Sequence, residues 1–251
     1  MSIYKITFSP TGGTQKVADV LAAEFAQTNK TVDLLEDIPE IAFTGKDLCL
    51  IAMPAFAGRV PSVCEQRMEK LQGNGAKVVL VAVFGNRAID DTLLEMKELA
   101  IARGFVPVAG IEAVAEHSVI RKFGAGRPDA DDIADLKEFA CQIKAALEEG
   151  RISAELAVPG NTPHRERSNG PMKPYGGANC NSCGLCVWKC PVRAIPVDDP
   201  RSVDKEKCIS CLRCMAVCPR KARQLAPELL AATEEKMAAV CTERKENKLY
   251  L

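Results

Sequence analysis

The chain has few of the residues that most often mark catalysis or nucleic-acid binding. Its 251 residues include two His, one Trp and three Tyr, and Lys plus Arg balance Asp plus Glu at 33 each. A net charge of zero gives nucleic acid or an anionic membrane surface no electrostatic reason to bind. No acid, base or nucleophile constellation stands out, so no catalytic residue is predicted.

Long apolar runs are lacking as well. No stretch approaches the length of a membrane span, so no span is predicted. Residues 1–5 lead straight into a strand-like segment, without the apolar region of a signal peptide. These absences exclude the sequence patterns of a membrane-spanning or secreted protein.

Cysteine, by contrast, is abundant. Eight of the 12 fall into two copies of the spacing C-x2-C-x2-C-x3-C-P, the run that holds two [4Fe–4S] clusters in bacterial ferredoxins. In this run the fourth cysteine ligates the cluster of the other copy. The predicted ligands are Cys180, Cys183, Cys186 and Cys218 for one cluster (the first cysteine set) and Cys190, Cys208, Cys211 and Cys214 for the other (the second cysteine set).

Disulfide bonds are the competing explanation of so many cysteines. The clustered spacing and the lack of a secretion signal argue against them. Because iron–sulfur ligation needs reduced thiols, we predict a cytoplasmic protein. Among the other cysteines, we expect Cys49, Cys64 and Cys141 to be small core residues, and Cys241 to be partly exposed on a tail helix.

The first 150 residues alternate short apolar runs with longer segments of helical periodicity. Strands are predicted near residues 3–8, 31–35, 48–52, 78–83 and 105–115, and helices near 14–28, 62–71, 89–103 and 131–149. Such an alternation is typical of an α/β domain with a doubly wound parallel sheet.

The remaining chain divides into three parts. Residues 151–177 contain little apolar surface and are predicted to be a linker, which could pack against either domain. Residues 178–223 carry the cysteines, and bound clusters must organise so short a segment. Residues 224–251 are predicted to hold a C-terminal helix.

A loop rich in hydroxyl groups and glycine follows the first strand. It contains Ser9, Thr11, Gly12, Gly13 and Thr14 (the 9–14 loop) and precedes the first helix. Backbone N–H groups at a helix N-terminus attract anions, and glycine lets a loop curl around a phosphate. Since the loop lacks the lysine of a P-loop and there is no G-x-G-x-x-G, it suits a phosphate monoester such as that of FMN. The alternative is an ordinary strand–helix turn with a capping threonine.

Residues 9–14 and the strand alternation resemble flavodoxin. Together with the cysteine runs, they make the chain similar to the bacterial and archaeal flavodoxin–ferredoxin fusion proteins called EFR-type ferredoxins. The resemblance implies a five-stranded parallel sheet of order 2-1-3-4-5 with FMN at its switch point, and a small α+β two-cluster ferredoxin-like domain. It also implies that two loops flank the flavin ring through Ala55, Phe56, Ala57, Gly58, Phe84, Gly85, Asn86 and Arg87.

The presumed ring loops differ from those of familiar flavodoxins, which place Trp and Tyr against the flavin. Residues 1–150 contain no Trp, and their one Tyr is Tyr4. The available rings are Phe56 and Phe84, and core packing at the end of a strand explains Phe84 equally well.

The same two loops carry Arg59 and Arg87. A guanidinium near the flavin favours its reduced anionic form, so we hypothesise a flavin that is less strongly reducing than in familiar flavodoxins. The alternative is that both side chains are solvated or pair with Asp90 or Asp91.

These features predict an electron carrier in which two [4Fe–4S] clusters relay electrons to or from FMN, with a redox protein as donor or acceptor and no nucleic-acid partner. One alternative is an FMN- and iron–sulfur-dependent reductase of a small substrate, with His117, Arg121 and the 116–130 loop at its edge. Another is a ferredoxin whose flavodoxin-like domain is a flavin-free docking module. A structural role explains His117 more simply, and packing beside a cluster would explain Trp188.

Overall fold

The computed structural model describes residues 2–153 and 155–251. In chain order its elements are β1 (Ile3–Thr7), α1 (Gly13–Phe25), β2 (Lys30–Asp33), β3 (Ile41–Ala42), β4 (Leu48–Pro54), α2 (Ser62–Met68), β5 (Leu71–Gln72), β6 (Lys77–Phe84), α3 (Thr92–Ala102), β7 (Val106–Val114), α4 (Ala130–Glu148), β8 (Tyr175–Gly176), α5 (Leu185–Trp188), α6 (Arg213–Ala216), β9 (Arg223–Gln224), α7 (Pro227–Cys241) and β10 (Lys248–Tyr250). The strands and helices predicted within residues 1–150 are present, with ends that differ by a few residues.

The main sheet has the order β10-β7-β6-β4-β1-β2. Strands β2, β1, β4, β6 and β7 are parallel to one another. Counted along the chain, these five strands have the order 2-1-3-4-5, so the predicted flavodoxin-like fold is confirmed. The pairing of β6 with β7 shifts register near Pro107, because Val78 pairs with Pro107 but Val79 pairs with Ala109.

Both faces of the sheet are covered by helices, which explains the continuous apolar runs of its central strands. Along β4, Leu48, Leu50 and Ala52 face the layer that contains α1 and α4. The alternate residues Cys49, Ile51 and Met53 face the layer of α2 and α3. The period of two residues in a strand produces this division.

The C-terminal tail returns to the sheet. The helix predicted within 224–251 covers only Pro227–Cys241, and Lys248–Tyr250 then pair antiparallel with β7 as a sixth strand. Asn247 fixes this return, because its Oδ1 accepts from the Val114 N–H at 2.9 Å and its Nδ2 donates to Asp132 at 2.8 Å. The cysteine segment is therefore inserted between the fifth and sixth strands of one sheet.

The linker lies across the α3 side of the flavodoxin-like domain. His164 Nε2 lies 2.7 Å from a carboxylate oxygen of Glu98, and Arg165 and Arg167 form ion pairs with Asp90 and Glu95 respectively. Residue 154 of the predicted 151–177 linker lies outside the described residues. These pairs join residues 164–167 to the first domain. Further along the linker, Ser210 Oγ donates to the Asn169 carbonyl at 2.6 Å, so the linker contacts both domains.

The cysteine segment consists of two structurally equivalent repeats, residues 180–197 (the first repeat) and 208–225 (the second repeat). Left-handed backbone occurs at matching positions: Ser182 and Ser210 both have φ 56°, and Arg193 and Lys221 have φ 51° and 49°. Each repeat contributes one short helix, α5 or α6, and strands β8 and β9 form an antiparallel pair. The segment is thus the small α+β unit that the resemblance implied.

Candidate redox site

Two cavities in the cysteine segment are each surrounded by four cysteines. One is lined by Cys180, Cys183, Cys186 and Cys218, and the other by Cys190, Cys208, Cys211 and Cys214. These are the two predicted sets, including the exchange of Cys190 and Cys218 between repeats. Within residues 2–153 and 155–251, no three His, Cys, Asp or Glu side chains converge on the position of a single metal ion. Cluster ligation does not need such convergence, since each thiolate binds a different iron.

The surroundings of the cysteines fit an iron–sulfur cluster. The N–H of Ala194 points to Cys190 Sγ at 3.3 Å, and that of Ala222 to Cys218 Sγ at 3.2 Å, in the same place in both repeats. Such bonds stabilise sulfur that carries negative charge. Burial raises the pKa of the Cys211 thiol to about 12, so binding of iron would have to displace its proton.

The two cysteine sets differ in depth. Cys208, Cys211 and Cys214 of the second set are buried, whereas Cys183 of the first set is exposed. Cys211 belongs to the same apolar cluster as Cys64 of α2. The second set therefore lies against the flavodoxin-like domain, and the first set reaches the surface.

Hydrogen bonds reinforce this domain contact. A guanidinium N–H of Arg213 donates to the Pro10 carbonyl at 3.3 Å, from α6 to the 9–14 loop. The buried Arg67 of α2 donates to the carbonyls of Leu34 and Pro191. The second repeat is thus attached at the 9–14 loop through Arg213, and the first repeat is attached to α2 through Pro191.

The 9–14 loop has the features of an anion-binding turn. Gly12 has φ 97°, and Ser9 Oγ accepts from the Gln15 N–H at 2.8 Å. In the described part of the chain, the N–H groups of Gly12, Gly13 and Thr14 donate no hydrogen bond. These donors, at the positive end of the α1 dipole, are free for an anion.

A cleft of about 500 Å³ separates the 9–14 loop from the second repeat. It is lined by Thr11, Gly13, Lys16, Glu116, Ser118, Arg121, Arg127, Leu212, Met215, Ala216, Cys218, Lys221 and Arg223. Its walls therefore come from both domains. Cys218 is the member of the first cysteine set that faces this cleft.

The cleft carries excess positive charge. Arg121 pairs with Glu116, and Arg127 pairs with Asp132. Lys16, Lys221 and Arg223 have no carboxylate partner among the described residues. The cleft is therefore suited to an anionic ligand. Sequence reasoning missed this set because Lys16 is far along the chain from Lys221 and Arg223.

The two presumed ring loops do not line this cleft. Phe84 is buried in the core, and half-buried Phe56 makes an edge contact with Phe8 at a centroid distance of 6.4 Å. Ala57 is exposed, and the Ala55 N–H donates to Val83. The packing alternative for Phe84 matches its burial, while a contact of these residues with a flavin ring stays a prediction.

The polar residues of the ring loops bind other parts of the protein. Asn86 donates to the carbonyls of Cys241 and Glu243 at 2.6 and 2.9 Å, so it fastens the tail. Arg87 pairs with Asp90, as the alternative to a flavin contact proposed. Arg59 pairs instead with Glu95, whose oxygens lie 2.8 and 2.9 Å from its nitrogens.

Gly58 and Gly85 are tightly enclosed. A Cβ on Gly58 would lie 2.1 Å from a carboxylate oxygen of Asp90, and one on Gly85 would lie 2.5 Å from the His117 ring. His117 Nδ1 accepts from the N–H groups of Val119 and Ile120 at 3.2 and 3.0 Å. Burial, followed by the charge of Arg87, lowers the pKa of His117 to about 4. A neutral, structural histidine explains these observations.

Three expectations for other residues need revision. Cys141 is exposed, because it lies on the outer face of α4, and Cys241 is fully buried beneath the 117–123 loop. Trp188 has 76 % of its surface exposed, so the expected packing beside a cluster does not account for it. Cys49 and Cys64 are buried as expected, and burial raises the pKa of Cys49 to about 12.

Comparison with known families identifies the cysteine segment. Residues 179–228 match the family of the 4Fe-4S dicluster domain. A stretch of 47 residues is 43% identical to one component of the ion-translocating oxidoreductase complex of Methanosarcina acetivorans. That match covers 18% of this chain and 18% of the relative, so the chain spans less than a fifth of the curated protein it matches.

Solved structures similar to the first domain include several flavodoxins. Oxidised flavodoxin 1 of Bacillus cereus is 16% identical, with a TM-score of 0.42, over 58% of this chain and 98% of that protein. Reduced Megasphaera elsdenii flavodoxin is 22% identical, with a TM-score of 0.38, over 56% and 98%. Rubredoxin oxygen:oxidoreductase of Desulfovibrio gigas is 17% identical, with a TM-score of 0.44, over 61% and 37%.

The chain therefore joins a domain of flavodoxin-like strand order to a 4Fe-4S ferredoxin-type domain. This combination indicates electron transfer. In the described residues, no helix is both long and apolar enough to cross a membrane.

Proposed function

We propose that this chain is an electron-transfer protein in which two [4Fe–4S] clusters exchange electrons with a bound FMN, as in EFR-type ferredoxins. The observation that carries the proposal is the cleft, since it extends from the 9–14 loop to Cys218 of the first cysteine set. A ligand held by that loop would occupy space bordered by a cluster ligand of the same chain. Bound clusters pass single electrons, and FMN exchanges one or two.

The residues around the cleft divide the task of holding FMN. The free N–H groups of Gly12, Gly13 and Thr14 would bind the phosphate, and Lys16 adds a charge one turn into α1. Leu212 and Met215 of the second repeat supply apolar surface to the opposite wall. That wall excludes water and keeps donor and acceptor at high effective concentration.

A redox protein would exchange electrons at the other end of the first cysteine set. Cys183 is exposed, and α5 beside it presents the exposed side chains of Leu185 and Trp188. An exposed apolar group next to a redox centre is typical of a transient docking site. Electrons would then travel between this surface and the cleft through the first cysteine set.

A second candidate is a reductase of a small anionic substrate. It is favoured by Glu116, Ser118 and Arg121, which line the cleft from the predicted substrate edge. His117 does not line the cleft, so in this alternative Glu116, Ser118 and Arg121, and not His117, would contact the substrate. Sustained turnover of an added anion by the reduced protein, lost in Arg121→Ala, would favour this function over the carrier.

The test is a titration of FMN into flavin-free protein that carries its full iron. Binding is measured by the quenching of flavin fluorescence. Lys16→Ala and Lys221→Ala each remove an unpaired cation from the cleft, and we expect each to weaken binding by about tenfold, or about 1.4 kcal/mol. Lys122→Ala is the matched control, because Lys122 is exposed and pairs with Glu234 outside the cleft. Iron-loaded protein that binds no FMN would refute the proposed relay.

A further inference from the structure

Arg223 is a buried cation without a carboxylate partner. Only 3 % of its surface is exposed. One terminal nitrogen donates to the carbonyls of Pro200, Arg201 and Ser202 at 2.8, 3.3 and 3.2 Å, and the other donates to that of Pro174. No Asp or Glu among the described residues pairs with it. A buried charge balanced only by neutral carbonyls is unfavourable unless another anion is nearby.

The position of Arg223 points to that anion. Arg223 lines the cavity of the first cysteine set, and its buried Nε has no hydrogen-bond partner among the described residues. The Pro200 carbonyl that accepts from Arg223 at 2.8 Å also lies 4.0 Å from Cys186 Sγ. Cys186 of the first set and Cys214 of the second set are buried in one apolar cluster. The guanidinium therefore lies where a ligand of each cluster is near.

The internal repeat shows that the fold does not require a cation there. Ile195 occupies the position in the first repeat that Arg223 occupies in the second. The preceding residues, Ala194 and Ala222, make the same N–H to sulfur bond. Ile195 is buried in an apolar cluster with Cys186 and Cys214. One repeat thus places an apolar side chain, and the other a charge, beside the same pair of ligands.

We infer that Arg223 is the shared counter-charge of the two clusters and raises the reduction potential of both. This inference rests on the proposed binding of two clusters and adds the residue that tunes them. Four thiolates leave a [4Fe–4S] site negatively charged, and each couple takes up one electron from its donor without a proton or a bond to Arg223. A buried cation stabilises the reduced state more than the oxidised state, because reduction increases the negative charge nearby.

The test is an anaerobic redox titration followed by EPR, on protein of measured iron content. Arg223→Ile gives the second repeat the residue of the first, and Arg223→Gln removes the charge but keeps a donor to the carbonyls. We expect both variants to carry full iron and to reduce less readily. The equilibrium constant for each one-electron reduction should fall at least about tenfold, which is about 59 mV towards negative potential. Arg223→Lys should stay within about threefold of the wild type, because the charge remains.

Arg193→Gln is the matched control. Arg193 is an exposed arginine two positions before Ile195, and solvent screens its charge, so its removal should leave both potentials unchanged. Iron-loaded Arg223→Ile or Arg223→Gln with wild-type potentials would overturn the inference. If neither neutral variant bound clusters while Arg223→Lys did, the arginine would be structural, and the inference would also fail. Absence of iron in the wild-type protein would instead refute the proposed function.

Discussion

The first and second repeats have the same backbone but opposite surroundings. Leu185 and Trp188 of α5 are exposed to solvent. Their counterparts in α6 are Arg213, which donates to the Pro10 carbonyl, and Ala216, which lines the cleft. The α6 face of the second repeat therefore docks onto the flavodoxin-like domain at the cleft, while the equivalent α5 face of the first repeat stays free.

This difference shows that two repeats with the same backbone can present different surfaces because their side chains differ. A small side chain at 216 leaves room for a ligand in the cleft, whereas the equivalent Trp188 projects into solvent. The docked end would face FMN and the free end would face a redox partner. The following predictions test this comparison, beginning with the largest expected effect.

Removal of one cysteine from each set should affect the two ends differently. Cys211→Ser should lose the second cluster, about half of the iron, and also loosen the two domains, because Cys211 packs in the core beside Cys64. Cys183→Ser should lose the first cluster but keep the domains together, since Cys183 is exposed. Iron analysis and limited proteolysis measure both effects. Full iron content in Cys211→Ser would contradict the assignment of the second set.

The stability of the folded protein is expected to depend on the protonation of His117. His117 holds the 117–123 loop, whose Ile120 and Phe123 pack against α7. Its pKa, about 4 in the folded protein, lies below that of an unfolded histidine, so the unfolded chain binds the proton more readily. Stability should therefore fall as the pH drops from about 6.5 towards 4, by about 1.5 kcal/mol between pH 6.5 and 5.

Denaturant unfolding at several pH values would measure this effect. His117→Asn, which keeps an acceptor for the two N–H groups but does not titrate, should be less stable at pH 7 and lack this part of the dependence. An unchanged pH profile in the variant would show that other groups are responsible.

Exchange of the equivalent side chains tests the cleft directly. Ala216→Trp places the residue of the first repeat in the cleft, where overpacking should weaken FMN binding by at least about tenfold. The free end provides the control, because Trp188→Ala lies outside the cleft and should leave FMN affinity unchanged. Equal affinities of Ala216→Trp and wild-type protein would mean that FMN does not use this cleft.

The smallest change in stability is expected at Trp188. Because its side chain is 76 % exposed, Trp188→Ala should change the free energy of unfolding by no more than about 0.5 kcal/mol. Reduction of the clusters of this variant by a protein donor should nevertheless be several-fold slower than in the wild type, whereas reduction by dithionite should not change. If both reductants behaved alike, Trp188 would have no part in docking.

Local patterns explain what the sequence could predict. The spacing of the eight cysteines specifies both sets, because three ligands of each set lie three positions apart and the known two-cluster run assigns the exchanged fourth. The parallel sheet followed from the alternation of elements, and its strand order was implied by the resemblance to flavodoxin. The 9–14 loop was visible for the same reason, since all of its groups lie in one turn.

The remaining features depend on contacts between distant residues. The three residues of β10 form a strand only because the tail reaches the edge of β7, and Asn86 binds that tail 155 positions away. The cleft combines Lys16 with Lys221, which no local pattern links. Arg223 does leave a signal in the sequence, because it breaks the repeat in which Ile195 is its counterpart.

Time-resolved reduction of the loaded protein tests the central claim most directly. A pulse of photochemical reductant would be kept weak, so that a chain that is reduced receives one electron. The absorbance of the clusters and of FMN would then be followed at several protein concentrations. We predict transfer between the centres with a first-order rate that is independent of protein concentration and is lost in Cys218→Ser, whose cysteine borders both the first cavity and the cleft. A rate proportional to protein concentration, or one unaffected by Cys218→Ser, would contradict a relay within one chain.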